Sequence, residues 1–260
     1  MSAQRRFGVM VLGLTLAAWL ATGTARAAFV VVPGGQTSSE GNFNNGFPFN
    51  IALFGLSTQR YQQVYNASDF TAAFGGKPEL ITQIAFRPAA DGSGGAFSST
   101  LPNIQIDLST TSVAADGLST TYANNVGADD TVVHSGSLSL SSSFTDAGNG
   151  TKAFDIVITL TTPFLYDPSK GNLLLDVRNF GGGSTTQFDA EILTGDAVSR
   201  VFNTNVAGSD GTADSGGLVT QFGFGPAAAS AAPEPASLTL LGIGALGLLG
   251  YGWRRRKQAA

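Results

Sequence analysis

The chain has 260 residues, 14 of them basic and 18 acidic, for a formal charge of −4. Charged residues make up only 12% of it, 34 residues are Gly and Cys is absent, which excludes a disulfide frame, a thiolate metal site and a Cys nucleophile. Residues 29–226 hold 7 basic and 17 acidic residues, a net −10, so this middle segment has no cationic surface for nucleic acid.

The chain starts with an export pattern. Arg5 and Arg6 form a positive head, Phe7 to Leu20 is an apolar run too short for a comfortable span, and Ala25-Arg26-Ala27 is a small-x-small site. Residues 1–27 are expected to be a signal peptide cut by signal peptidase after Ala27, with Ala25 and Ala27 filling its small-residue positions. An uncleaved signal anchor is the alternative. The adjacent arginines fit the general secretory route better than a twin-arginine signal.

Residues 28–226 alternate apolar and polar side chains over short stretches bounded by Gly, Asn, Asp, Ser or Pro. Leu80, Ile84 and Phe86 are assigned to one strand face, opposite Ile81, Gln83 and Ala85. Ile104, Ile106 and Leu108 alternate with Gln105, Asp107 and Ser109. Phe154, Ile156, Ile158 and Leu160 alternate with Asp155, Val157 and Thr159, and Leu173, Leu175 and Val177 with Leu174, Asp176 and Arg178. Weaker strands are expected over 29–32, 60–65, 131–140, 187–193, 200–206 and 218–224. One short helix is expected from Ser68, as N-cap, to Phe74, stopped by Gly75-Gly76. Pro168 to Gly171 suggests that 154–161 and 172–178 pair as neighbours through a loop. About ten strands and almost no helix point to an all-β fold, a jelly-roll-like β-sandwich.

Chemistry in the middle segment is sparse. His134 is the one His, so a two-His metal site is excluded, and no Gly-x-Ser-x-Gly elbow accompanies it. Asp189 and Glu191, two apart on a strand, share a face and are the first pair to weigh for a glycoside hydrolase; the plainer reading is a solvated strand face. Asp129 and Asp130, and Asp210 with Asp214, offer hard oxygen ligands for a structural calcium ion, without matching an EF-hand. No other cofactor is called for. Sugar-stacking platforms would have to come from Tyr61, Tyr65, Tyr122, Tyr166 or a Phe, since both Trp lie in the end segments.

The C-terminal segment is the most specific. Residues 227–235 form a small-residue linker ending in Pro233-Glu234-Pro235; residues 236–253 carry no charge; Arg254, Arg255, Arg256 and Lys257 follow at once. Eighteen residues at about 1.5 Å each come close to a hydrocarbon core of about 30 Å, so 236–253 is expected to be a transmembrane helix, with 254–260 a basic cytoplasmic tail that locks topology. Pro233 and Pro235 hold the backbone extended, as a processing enzyme's cleft requires. The ordered triplet of Pro-Glu-Pro, apolar span and basic cluster resembles the PEP-CTERM sorting signal of Gram-negative bacteria that make exopolysaccharide; a chance tail anchor is the alternative. The resemblance implies recognition by exosortase, a Cys-dependent membrane enzyme, and release or transfer to the cell surface. Strings such as Arg60-Tyr61-Gln62-Gln63-Val64-Tyr65 are similar to ectodomains of an uncharacterised PEP-CTERM group, which implies no activity. The reading is a non-enzymatic surface or matrix protein, structural or adhesive in biofilm. The alternatives are a polysaccharide-binding module and, last, a hydrolase.

Overall fold

Alternation of buried and exposed positions along the chain resolves into strands. The computed structural model describes residues 28–225. In chain order these form β1 (Ala28–Val32), β2 (Phe43–Asn45), β3 (Gln59–Tyr65), α1 (Ala67–Phe74), β4 (Glu79–Phe86), β5 (Phe97–Thr111), β6 (Thr131–Ser142), β7 (Asp146–Gly148) and β8 (Thr151–Lys152). They continue with β9 (Ile156–Tyr166), β10 (Asn172–Asn179), β11 (Phe188–Ile192), β12 (Val198–Asn203), β13 (Thr212–Asp214), β14 (Gly216–Leu218) and β15 (Thr220–Gly225). Ten of these strands have five residues or more. The fold is all-β.

Every strand pair is antiparallel. One sheet runs β1-β15-β4-β9 and a second runs β13-β12-β3-β10-β5-β6. Their inner faces meet in one core: Val30, Ile84, Phe86, Ile156, Ile158 and Phe222 from the first face Ile104, Ile106, Leu108, Leu173, Leu175 and Val177 from the second. Going along the chain, β1, β3, β4, β5, β6, β9, β10 and β15 divide between the sheets in the order of a jelly roll. The β11–β14 segment is inserted before the last strand. It extends the second sheet and builds a small third sheet, β14-β11-β2.

α1 caps the core at one end. Asn66 rather than Ser68 is its N-cap residue, and Gly75 ends it in the left-handed region, with its N–H on the Thr71 carbonyl. The one buried side chain of the helix, Phe70, meets Tyr166 edge-on at 4.9 Å and Phe222 at 5.3 Å. Such pairs add about 0.5–1.5 kcal/mol each beyond burial.

Three expectations need correction. β9 and β10 are not a hairpin: β9 pairs with β4, β10 lies between β3 and β5, and residues 167–171 cross from one sheet to the other. The turn chemistry was legible, but a turn does not say whether it stays in its sheet. Leu80 does not share a face with Ile84. A bulge between Ile81 and Gln83 turns Ile81 inward and leaves Leu80 outward. The expected strand 218–224 is broken at Val219, between β14 and β15. Among the described residues no helix is long and apolar enough to cross a membrane. The expected signal peptide (1–27) and span (236–253) lie outside the described residues.

Candidate functional site

β1 pairs with β15 along its whole length, with Ala28 opposite Phe224. The described chain therefore enters and leaves the sandwich side by side. Pro233 follows the last residue of β15, Gly225, by eight positions. The sorting residues Pro233, Glu234 and Pro235, the cations Arg254, Arg255, Arg256 and Lys257, and the cleavage residues Ala25 and Ala27 all lie outside the described residues.

Within the domain, the strongest polar site joins β4 to β11. Arg87, directly after β4, is 1% exposed. Its Nε donates to Asp189 Oδ2 at 2.6 Å, and one Nη donates to the carbonyls of Gln36, at 2.9 Å, and Ser39. The guanidinium lies 4.8 Å from the Phe154 ring centre. Asp189 also accepts from the Gly41 N–H at 2.9 Å, and Glu191 accepts from Gln36 Nε2 at 2.9 Å and the Asn42 N–H at 3.2 Å. Burial pushes the Asp189 carboxyl up to about 6 despite Arg87. Asp189 and Glu191 do share a face of β11, but that face is buried, not solvated: the two acids tie the 36–42 loop to the small sheet. Gly41 permits the approach, since a Cβ there would sit 2.0 Å from the Ala190 carbonyl oxygen.

A second network lies on the outward face of the six-stranded sheet. Register places Asp176 opposite both Asp107 and Gln62. Arg60 grips Asp176 with two nitrogens at 2.7 and 3.3 Å, and Arg178 donates to Asp107 at 2.8 Å. Burial raises the Asp107 carboxyl to about 6, against hydrogen bonds from Gln105 and the charge of Arg178. The loop from 113 to 126 covers the neighbouring strands. Its Leu118 and Tyr122 pack on Val64, Leu174 and Val201, and Tyr122 stacks on Arg60 at 4.4 Å. The alternation marked Asp107, Asp176 and Arg178 as outward, but that this loop would bury them is a tertiary fact with no local signal.

The calcium candidates do not converge. Asp129 accepts the Thr110 N–H at 2.7 Å, and Asp130, beside it, is raised by burial and by Asp176. Asp210 accepts from the Thr121 and Ser209 hydroxyls, which lower its pKa. Asp214 is held by Arg200 through two nitrogens, at 2.8 and 2.9 Å. Asp210 and Asp214 line different recesses, of about 350 and 470 Å³. Among the described residues no three acids or His gather where an ion would sit. His134 is half-buried on β6, opposite Ile106. Tyr61, Tyr65, Tyr122 and Tyr166 are all buried, so none is a sugar platform; the large exposed aromatics of the domain are Phe29, Phe43, Phe54 and Phe180.

The family model of the PEP-CTERM protein-sorting motif matches residues 231–257. It takes in Pro233-Glu234-Pro235, the uncharged run and the four cations. No curated protein matches the chain. The domain is thus a β-rich cargo placed ahead of an address that exosortase recognises. The chain thus carries a PEP-CTERM protein-sorting motif at residues 231–257, which implies export and exosortase-dependent sorting toward the cell surface.

Proposed function

We propose that residues 28–226 act as a non-catalytic, structural or adhesive module of the cell surface or its polysaccharide matrix. The signal peptide is removed at Ala27, residues 236–253 hold the chain in the inner membrane with Arg254 to Lys257 in the cytoplasm, and the domain stays in the periplasm until exosortase acts near Pro233-Glu234-Pro235. The observation that carries this reading is the use made of charge. Five of the seven basic residues of the domain sit in close ion pairs with Asp, at Arg60, Arg87, Lys152, Arg178 and Arg200. Their partners, and Glu191, fasten loops and strands. Acids held this way fix the positions of loops and strands, a structural use of charge.

The test is a strain lacking the chain, compared with strains carrying the native chain or Glu191→Gln. Loss of cell-to-cell cohesion on deletion, restored by both chains at equal surface levels, is the expected result. Hydrolysis of envelope polysaccharide by the purified protein, lost in Glu191→Gln, would overturn it. A polysaccharide-binding module is the second reading. Its support is one recess of about 330 Å³ lined by Thr37, Ser38, Arg87, Lys152 and Phe154, the size of a sugar residue with hydroxyls, cations and an aromatic ring around it. Binding on a glycan array, weakened by Lys152→Ala, supports it; a blank array removes it.

A further inference from the structure

One recess of the domain is bordered by cations and by no acid. It measures about 330 Å³ and has Arg87, Lys152 and Phe154 on its walls. The recesses that hold Asp210, and Asp116 with Asp214, have no cation on theirs. Two of the seven basic residues of a domain of net −10 thus border one hollow. Its place follows from strand register. Val31, Gln221, Ala85 and Val157 form one row across the four-stranded sheet, on the face turned away from the core. Val31 and Ala85 are nonetheless buried, so other parts of the chain cover this end of the face. Gln221 of that row lines the recess together with Ser38, from the loop after β1, and the β7–β8 hairpin. β7 and β8 pair only with each other, so the hairpin belongs to neither sheet of the sandwich, and it carries Lys152 to the recess.

What each cation has left to give is set by its present partners. Arg87 spends Nε on Asp189 and Nη2 on the carbonyls of Gln36 and Ser39. Its Nη1 has no acceptor among the described residues. A side chain only 2% exposed therefore keeps two N–H donors, and the recess is the space beside it. Lys152 stands 3.9 Å from the Phe144 ring centre and pairs with Asp146. The Asp146 side chain is 83% exposed, and a partner in water is readily displaced by a ligand oxygen. The other acids nearby are turned to other donors: Asp189 to Arg87 Nε, Glu40 to the Ala90 N–H and Asp155 to the Ser143 N–H.

We infer that this recess takes the carboxylate of an acidic sugar, a hexuronate residue of a polysaccharide. The inference rests on the polysaccharide-binding reading of the domain. Arg87 Nη1 and Lys152 Nζ donate to the carboxylate oxygens, and such charge-assisted bonds are about twice as strong as neutral ones. The Gln221 amide and the Ser38 hydroxyl meet sugar hydroxyls. One charge carried on two acceptor oxygens matches two cations that are each shared with an Asp. The net charge of the domain does not forbid this. At an ionic strength of about 0.15 M, charges beyond about 8 Å are screened, whereas these contacts are direct.

The test is isothermal titration of the full chain, purified in detergent, beside a glycan array. The probes are oligomers of galacturonate, mannuronate and guluronate, the same oligomers with their carboxyls reduced to alcohols, and sulfated forms of the reduced oligomers. The expected result is that an oligouronate binds about tenfold or more tighter than its reduced and sulfated forms. Lys152→Met should weaken that binding roughly tenfold and Lys152→Arg should keep most of it. Asp146→Asn, an exposed change that frees Lys152, should tighten it about two- to fivefold, which a merely structural ion pair would not do. Equal binding of acidic and reduced oligomers leaves the polysaccharide reading standing and overturns the carboxylate site, as does equal binding of the sulfated form. Uronate binding that neither Lys152→Met nor Asp146→Asn changes puts the sugar elsewhere and overturns the recess. Array binding confined to glycans without a carboxylate overturns the inference alone. A blank array removes the polysaccharide reading and the inference with it.

Discussion

Replacing Arg87 with Met tests whether buried ion pairs fasten the loops of this sandwich. Arg87 is 1% exposed and holds Asp189, two loop carbonyls and the Phe154 ring at once. Met fills much of the same volume but leaves the Asp189 carboxylate buried with the Gly41 N–H as its remaining donor. Breaking one side of a buried pair costs about 3–5 kcal/mol, which for a domain of this size is a melting point lower by roughly 6–20 °C. The deficit also depends on pH. Burial already lifts Asp189 to about 6 with Arg87 present, and without Arg87 it rises further. The folded variant then takes up a proton where the native protein does not, so its deficit is largest at high pH, shrinks as the pH falls toward 6 and levels off below that, where the native carboxyl is protonated too. Asp189→Asn on the Arg87→Met background removes the stranded charge and recovers much of the loss at high pH. Thermal unfolding followed by circular dichroism, at about pH 8 and pH 4.5, reads all of this. A deficit under about 1 kcal/mol, or one equal at both pH values, refutes the reasoning.

Gln63→Ala removes an amide that pairs both ways with the Leu218 backbone, at 2.8 and 2.9 Å, and accepts from the Tyr61 hydroxyl; a loss of roughly 2–4 kcal/mol is expected in urea unfolding. Gly127→Ala places a Cβ 1.8 Å from the Thr110 carbonyl oxygen and should cost about 1–3 kcal/mol, whereas Gly35→Ala, with nothing within 4 Å, should be silent in the same melt. Burial raises Asp107, Asp189 and Asp196 to about 6. Their contribution is fully present below about pH 4 and is lost as the pH rises through 6. Asp91, Asp167 and Asp210 are lowered by neighbouring hydroxyls, and their contribution is lost as the pH falls below the usual Asp value of 3.8. A denaturant midpoint measured against pH should therefore peak near about 4 and fall as the pH rises to 6; a maximum at neutral pH contradicts the assignment.

The strands that could be read from the sequence are those whose local pattern and tertiary role agree. Ile104, Ile106 and Leu108 point inward as their alternation requires, and so do Leu173, Leu175 and Val177. What escaped reading is what the pattern does not encode. The bulge at Ile81 shifts the phase of β4 by one residue, and period-2 reasoning carries no information about an inserted residue. The crossing at 167–171 looks like a hairpin turn because turn residues set local backbone direction and not sheet membership. The polar sites divide the same way. Asp189 and Glu191 were placed on one face by their spacing, but on a domain so acidic a solvated face was the plain expectation. Only the folded loop from Gln36 to Asn42 reveals that both acids hold buried donors.

The position of β15 connects fold and sorting. This last strand before the motif is not an edge strand: it lies between β1 and β4, and its Phe222 stands edge-on to Tyr65 of the opposite sheet at 4.9 Å. The four-stranded sheet cannot close until residue 225 has left the export channel, so the first and last parts of the domain complete its core together. Removal of a tail from Pro233 onward takes away no residue of either sheet, whereas loss of eleven further residues would delete Phe222 and Phe224 from the core. The seven positions from Pro226 to Ala232 are therefore what separates a cut that releases an intact sandwich from one that opens it.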